Sequence, residues 1–351
     1  MTGTGDPGEA AASARARRRR VVGAAAGMLV VLVLAFIVWY ELEAYALGPE
    51  GPPVVLTVHD GEPVNSIVSN LSDLHVIGSS LAFRISDIVD GTPTVVPGDY
   101  SFHENQTFAE VRAILDGGPN VYLVDVRAGL TLREVAQRVD DFPGHGATSF
   151  AHIAASGVVH SVFSPPGSNN LEGMLGSGIY RVFPGQSDTT ILTEMVRRFD
   201  RQATAAGINT GAGSAFSPSA YQLITAASVV EKEGYIPKNM PDVARVIDNR
   251  VAADMALQMD STVLYALGQD GGPVTPQDLQ IVSPYNSYLN KGLPPTPICT
   301  PSPEALAAAV HPPPGHWLYF VLVDKDGTEA FADTFAQQLA NEKLAHSRGV
   351  G

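Results

Sequence analysis

Two carboxyl side chains, Glu231 and Glu233, close an otherwise apolar stretch that reads Ala226-Ala227-Ser228-Val229-Val230-Glu231-Lys232-Glu233-Gly234. A carboxyl group among small apolar neighbours is pushed toward its neutral form, and a carboxyl that stays neutral near pH 7 can act as a general acid. At helical spacing Glu231 stands above Ala227 and Ser228, with Ile224 two turns back, and is the first candidate for proton donor. Glu233 stands over Val229 and Ala226, nearer the helix end, and is the second. The competing reading of either residue is a solvated glutamate on a helix surface.

The helix that carries them is expected to begin at Ser217-Pro218, as N-cap and first helical residue. Its apolar face is Leu223, Ile224, Ala227 and Val230, and Gly234 stops it ahead of Pro237. Downstream come Val243-Ala244-Arg245-Val246-Ile247-Asp248-Asn249-Arg250 and Leu257-Gln258-Met259-Asp260-Ser261-Thr262-Val263-Leu264-Tyr265. Then follow Ser283-Pro284-Tyr285-Asn286-Ser287-Tyr288, Gly292-Leu293-Pro294-Pro295-Thr296-Pro297-Ile298, and Ala307-Ala308-Ala309-Val310-His311-Pro312 before Trp317-Leu318-Tyr319-Phe320-Val321.

In this order the segments resemble the YceG-like family, the endolytic murein transglycosylases, whose signature is Ala-Ser-hydrophobic-Val-Glu-Lys/Arg-Glu. The resemblance implies that the first glutamate, Glu231, is catalytic. It would protonate the oxygen between N-acetylmuramic acid and N-acetylglucosamine, then take the proton of the muramoyl 6-hydroxyl as that oxygen closes on the anomeric carbon, leaving a 1,6-anhydromuramoyl end. Ordinary glycosidases use two carboxyl groups, whereas an internal acceptor needs one. Matching motifs nominate Gln258, Asp260, Tyr285 and Asn286 as substrate-orienting groups. Gln258 and Asp260 alternate with Leu257 and Met259 as a half-buried strand does, and Asn286 beside Pro284 also fits a turn. Asn249 and Arg250, on a helix over 241–253, read as structural, and His311 before three prolines as a buried, satisfied residue.

The amino terminus says where such chemistry would take place. Arg15, Arg17, Arg18, Arg19 and Arg20 precede an apolar run over residues 21–40, about one bilayer crossing as a helix. The arginines are expected to stay cytoplasmic as a basic tail over 1–20, with Trp39 and Tyr40 at the far interface and the rest outside the cell membrane. A cleaved signal peptide is the alternative, but the run is long for one and no Ala-x-Ala site follows. The chain has 351 residues, of which about 310 lie beyond the anchor, enough for two domains with cores. A formal charge of -14 disfavours nucleic acid as a partner. Cys299 is the single cysteine and reads as a packed residue; the nine histidines show no helical zinc spacing, so neither a metal nor a cofactor is expected.

A near-repeat links 54–71 (VVLTVHDGEPVNSIVSNL) with 121–139 (VYLVDVRAGLTLREVAQRV), matching Val58 with Val126 and Gly61 with Gly129. Each copy reads as strand, glycine turn and amphipathic helix. The first copy, with a helix over 79–89 and the segment 96–102, resembles a LysM-like subdomain, which implies contact with glycan over 54–119. The fold class is therefore α+β: a membrane-anchored, small LysM-like module followed by a larger mixed catalytic domain over 120–345. That domain ends in a strand at 318–323, a turn at Asp324-Lys325-Asp326-Gly327, a strand at 330–332 and a helix over 334–345. Residues 142–170, rich in Gly, Ser, His and Pro, read as a hinge.

The chain departs from the family pattern twice. The family's Pro-Asp-Thr step is Ser177-Gly178-Ile179 here, which predicts a more flexible loop, and Glu329-Ala330 stands where a Gly/His pair is usual. These departures keep open an inactive, membrane-anchored wall-binding scaffold. The resemblance also implies coupling to peptidoglycan synthases, which residue spacing does not address.

Overall fold

The computed structural model describes residues 7–209 and 218–350. The chain divides into two compact units, Met1–Tyr122 and Leu123–Gly351.

The first unit opens with a long helix, α1 (Pro7–Ala44), uninterrupted by glycine pairs or proline after its first residue. Within Arg17–Ala44 the most apolar 18 residues have a mean hydropathy of 2.9 and none of them is buried in protein, as a membrane span requires. The helix outruns the expected end at Tyr40 by one turn, because Trp39, Tyr40 and Ala44 pack against the unit's core. Strand β1 (Pro53–Val58) is followed by α2 (Val64–Asp73), α3 (Ser80–Asp90), β2 (Gly98–His103) and α4 (Phe108–Gly117). β1 and β2 pair antiparallel with Leu56 opposite Tyr100 and Val54 opposite Phe102. Alternation turns Leu56, Val58, Tyr100 and Phe102 onto Ile67, Leu71, Phe83 and Leu115. The Ser79 side chain caps α3 and a Thr107/Glu110 capping box starts α4, which satisfies amide groups that the first helical turns leave free.

The second unit starts with the same order of elements: β3 (Tyr122–Val126), α5 (Leu132–Asp140), α6 (Ala147–Ser156), β4 (Gly178–Val182) and α7 (Asp188–Ala205). β3 pairs with β4 as β1 pairs with β2, so the repeat seen in sequence continues through a second helix and a second strand. Gly61 and Gly129, the matched turn glycines, both have positive φ, 72° and 85°. Residues 142–170, expected to be a hinge, lie inside this unit, where α6 packs on α5 and α7.

Helix α8 (Ala220–Glu233) starts two residues later than expected, at a capping box of Ser219 and Gln222; Ser217 lies outside the described residues. It packs against α9 (Met240–Ala252), α10 (Asp260–Leu267) and α11 (Pro303–Val310). Val229, Val230, Val243, Ile247, Leu257, Met259 and Ile298 form the core between them, and each buried aliphatic side chain there contributes roughly 1.5–3 kcal/mol. The closing hairpin, β5 (Tyr319–Leu322) and β6 (Glu329–Ala332), and the covering helix α12 (Phe335–Ser347) follow the sequence reading closely.

Two local expectations are corrected. The half-buried strand expected at 257–259 is irregular chain outside any sheet, beside an isolated bridge between Ala256 and Lys291. The alternation is present, but Gln258 and Asp260 point outward, and Gln258 has φ 51°. The loop at 176–179 is pinned rather than loose. Gly176 N donates to Met195 O at 2.9 Å, Gly176 O accepts from the Tyr180 hydroxyl at 2.5 Å, and Gln202 Nε2 donates to Ser177 O at 3.0 Å. A Cβ at Gly176 would stand 2.6 Å from Phe199 N, so here glycine permits close approach rather than motion.

Gly176→Ala should therefore destabilise the protein by about 1–3 kcal/mol through overpacking. Denaturant unfolding of the protein in detergent checks this. An unchanged or raised midpoint, as alanine gives in a flexible loop, would restore the flexible reading.

Candidate active site

Helix α8 is buried along Ile224, Thr225 and residues 227–230, and its last turn delivers Glu231, Lys232 and Glu233 to three different environments. Gly234 ends the helix without positive φ; a Cβ there would meet Met240 Cγ at 2.8 Å and Val230 O at 3.0 Å. The chain from Ile298 to Ser302 is laced to α8. Ile298 N donates to Ser228 Oγ at 3.0 Å, the Cys299 thiol to Ser228 O at 3.2 Å, and both N and Oγ of Ser302 to Glu231 Oε2 at 2.9 and 2.5 Å.

Ser302 is the N-cap of α11, its Oγ also accepting from Ala305 N at 3.1 Å. Glu231 thus spends one carboxylate oxygen on the positive end of a neighbouring helix, where a carboxylate satisfies amide groups and the helix dipole together. Burial raises the proton affinity of its carboxyl and outweighs the opposing Ser302 bonds. Lys232 pairs with Asp270 at 2.5 Å.

Glu233 opens onto a cleft lobe of about 200 Å³ lined with Lys232, Asp260, Ser261, Tyr265 and Asp270. Glu231 does not line it. The Glu233 carboxyl accepts one bond, from Ser261 N in the first turn of α10, at 3.2 Å. Burial raises its proton affinity first, with Asp260 adding to the effect, while Ser261 and Arg250 oppose it. A second lobe, of about 220 Å³, shares Thr131, Tyr265 and Gln269 with the first and adds Arg133 and Glu172. A third, of about 230 Å³ and mostly apolar, touches Leu132 and is rimmed by Asn169 and Asn170. Each of the three lobes touches the chain at 131–133, where α5 begins.

Glu172 is a carboxylate that the sequence reading passed over. It is buried, accepts from Leu132 N at 2.9 Å and from the Tyr265 hydroxyl at 3.2 Å, and burial raises its proton affinity. Its signal in sequence was an acid inside the apolar run from Leu171 to Leu175. The next residue, Gly173, has φ 74° and no room for a Cβ, which would lie 2.9 Å from Cys299 O.

Of the four nominated orienting residues, Asp260 lines the cleft, held by the Tyr288 hydroxyl at 2.6 Å. Tyr285 lies behind it, its ring 4.8 Å from that of Tyr265 and its hydroxyl 2.8 Å from Thr296 Oγ1. Asn286 is wholly buried, donating to Leu279 O and Ile281 O at 2.9 Å and accepting from Tyr288 N at 3.0 Å, so it shapes the turn and does not face the cleft. Gln258 is solvent-exposed and lines none of the three lobes. Asn249 and Arg250 are structural, bonding the main chain at Gly315, Trp317, Leu318 and Leu257. His311 is exposed at the end of α11, not buried, because the proline run leads the chain outward there. Cys299 is wholly buried, and burial pushes its thiol well up, which suits a packed residue and not a nucleophile. Among the described residues no His, Cys, Asp or Glu cluster could hold a metal.

Glu329 sits on β6 with its Oε2 lacking a hydrogen-bond partner, in the field of Glu233 and Asp242. Burial and those two acids push its carboxyl up to about 7, from an ordinary 4.5. A carboxyl that holds its proton more tightly when folded contributes stability in full below the ordinary value and loses it as pH rises toward the raised one. Unfolding free energy should therefore fall between about pH 4.5 and about pH 7. Glu329→Gln should flatten that slope, measured by denaturant titration across the interval; an unaltered slope would remove Glu329 as its source.

Comparison with known proteins follows the same residues. The profile of the YceG-like family matches residues 56–344. A Bacillus subtilis protein named endolytic murein transglycosylase is 28% identical over 313 residues, covering 84% of this chain and 86% of that one. A Streptococcus pneumoniae protein of the same name is 24% identical over 328 residues, covering 85% of this chain and 58% of its own length. The crystal structure of a yceG-like protein from Listeria monocytogenes superposes with a TM-score of 0.53 at 25% identity, covering 83% of this chain and 99% of that one. With its profile matched from the first strand to the last helix, the chain belongs to the YceG-like family.

Proposed function

We propose that this protein is an endolytic peptidoglycan lytic transglycosylase whose proton donor is Glu233, with Glu231 as the residue that locks α8 to α11. The observation that carries the reading is a carboxyl with raised proton affinity at a cleft, bonded by a single amide. Glu231, the first candidate from sequence, lines none of the three lobes, and its carboxylate oxygen already holds two bonds from Ser302. The relatives named endolytic murein transglycosylase support the substrate class, glycan strands of alternating N-acetylglucosamine and N-acetylmuramic acid.

In the proposed reaction the Glu233 proton passes to the glycosidic oxygen as the bond from that oxygen to the muramoyl anomeric carbon breaks. Asp260, its carboxylate held by Tyr288, lies on the same lobe and offsets the positive charge that develops at the ring. The muramoyl O6 then bonds the anomeric carbon and its proton returns to Glu233. No water is consumed. The lobes beside Glu172, Arg133, Asn169 and Asn170 offer room for further sugars along the cleft.

The proposed organisation is a cytoplasmic basic tail over 1–20, a membrane span over 21–40, a LysM-like glycan-holding module over 54–119 and the catalytic domain over 120–345. The apolar helix supports the span, and the paired strands with helices packed on one face support a small module. Peptidoglycan synthases working at the same membrane are the proposed partners. No observation favours an inactive scaffold, which would have no use for an acid kept partly desolvated at a cleft.

Glu233→Gln should lower the yield of 1,6-anhydromuramoyl ends from purified glycan strands by about 10²–10⁴-fold, the usual share of a general acid. Glu231→Gln should keep most of the activity, because the amide oxygen still accepts from Ser302; Glu231→Ala should lose about 1–3 kcal/mol of stability. Mass spectrometry of the products beside unfolding curves separates the two roles. Loss of activity in Glu231→Gln at normal stability, with Glu233→Gln active, would exchange the assignments. The reaction needs protonated Glu233, so kcat should hold at low pH and decline as pH rises through that carboxyl's raised value; a rate that grows with pH there would contradict an acid role.

A further inference from the structure

Helix α3 is apolar on two faces. Ala82, Phe83 and Ser86 enter the core of the first unit. Leu81, Ile85, Ile88 and Val89, spaced i, i+4, i+7 and i+8, form a second stripe on the opposite side. Leu81 is 60% exposed, Ile88 83% and Val89 82%. A small unit rarely leaves such a stripe uncovered without a partner for it.

The position of the stripe names that partner. Glu43, near the end of α1, lies beside Gly78, just ahead of α3. Tyr40, one turn earlier on α1, lies near Ser86 in the second half of α3 and near Asp90 at its end. α3 therefore runs back along α1, toward the apolar span. Its last turn reaches the level of Trp39 and Tyr40, the aromatic pair expected at the headgroup layer. The register is rigid, since Trp39 and Tyr40 pack against the unit's own core and the Tyr40 ring lies 6.4 Å from that of Phe108. Asp87 and Asp90 project away from the stripe, and Asp87 is neutralised by Arg112 at 2.9 Å.

We infer that the C-terminal half of α3 lies in the headgroup layer of the bilayer that α1 crosses, with Ile88 and Val89 in contact with acyl chains and Ile85 and Leu81 progressively shallower. The inference rests on α1 as a membrane span. The first unit is then not a bead on a tether but a foot fixed against the lipid, held by one crossing helix and one interfacial helix.

Site-directed spin labelling of the full-length protein in vesicles of phosphatidylcholine and phosphatidylglycerol tests this. Single cysteines replace Ile88, Val89, Leu81 or, as a control in an exposed turn, Asp60; buried Cys299 stays unlabelled. Accessibility to oxygen relative to a water-soluble nickel chelate should be several-fold higher at Ile88→Cys and Val89→Cys than at Asp60→Cys, with Leu81→Cys between. Equal nickel access at 88, 89 and 60 would overturn the inference. So would spectral broadening at 88 and 89 that vanishes when labelled chain is diluted with unlabelled, because a second copy would then cover the stripe. Flotation of the same vesicles reports on the span separately. A chain that fails to float overturns the span and the stripe together, whereas one that floats with water-exposed probes overturns only the stripe.

Discussion

The cost of keeping carboxyl groups away from water at the end of a buried helix governs the second unit. α8 is lined by wholly buried residues up to Val230 and then presents two glutamates within three positions. Both sit at the negative end of their own helix, which already disfavours their charge. Each must find compensation from outside, and the surrounding elements are arranged to supply it. The N-terminus of α11 faces Glu231 through Ser302, and that of α10 faces Glu233 through Ser261. The compensation differs in strength. Two donors hold one oxygen of Glu231 and a single amide holds Glu233, and burial leaves both carboxyls with raised proton affinity.

In the proposed reaction that difference, with the cleft beside Glu233, separates anchor from acid. A carboxylate held by two donors serves structure, because giving up its charge would weaken the bonds that hold it. A partly satisfied one at a cleft can trade its proton with a ligand. The segment from Ile298 to Ser302 makes the distinction possible, since its bonds to Ser228 and Glu231 align α11 against α8. Gly173 closes the same arrangement from the other side, pressed against Cys299 and Pro297, and so brings Glu172 under the N-terminus of α5. Glu329 adds a further acid to the field around Glu233.

The two units reuse one plan of strand, two helices, strand and helix. In the first, the plan is closed by α1, whose aromatic residues become part of the core. In the second, α5, the counterpart of α2, carries its N-terminus to the cleft, where Thr131, Leu132 and Arg133 touch the three lobes. The same local unit thus serves an apolar surface in one place and a polar cleft in the other.

Much was legible in the sequence because it depends on neighbours along the chain. The apolar span, the helices at α8 and α9, the closing hairpin and helix, and the strand, turn and helix repeat follow from periodicity, caps and glycine turns. The pair of glutamates stood out as candidates from its place on an apolar helix. The roles within that pair were not legible, because Glu231 and Glu233 differ by what lies 71 and 28 residues away, Ser302 and Ser261. Asn286 looked like a substrate ligand and Gly176 like a loose joint for the same reason. The first turned out to be tied to Leu279 and Ile281, and the second pressed against α7. The sequence by itself determined which elements form and which residue types sit on them. Only the tertiary structure decided which acid is satisfied and which is left facing a cleft, because hydrogen-bond partners and desolvation arise from packing between segments far apart in the chain.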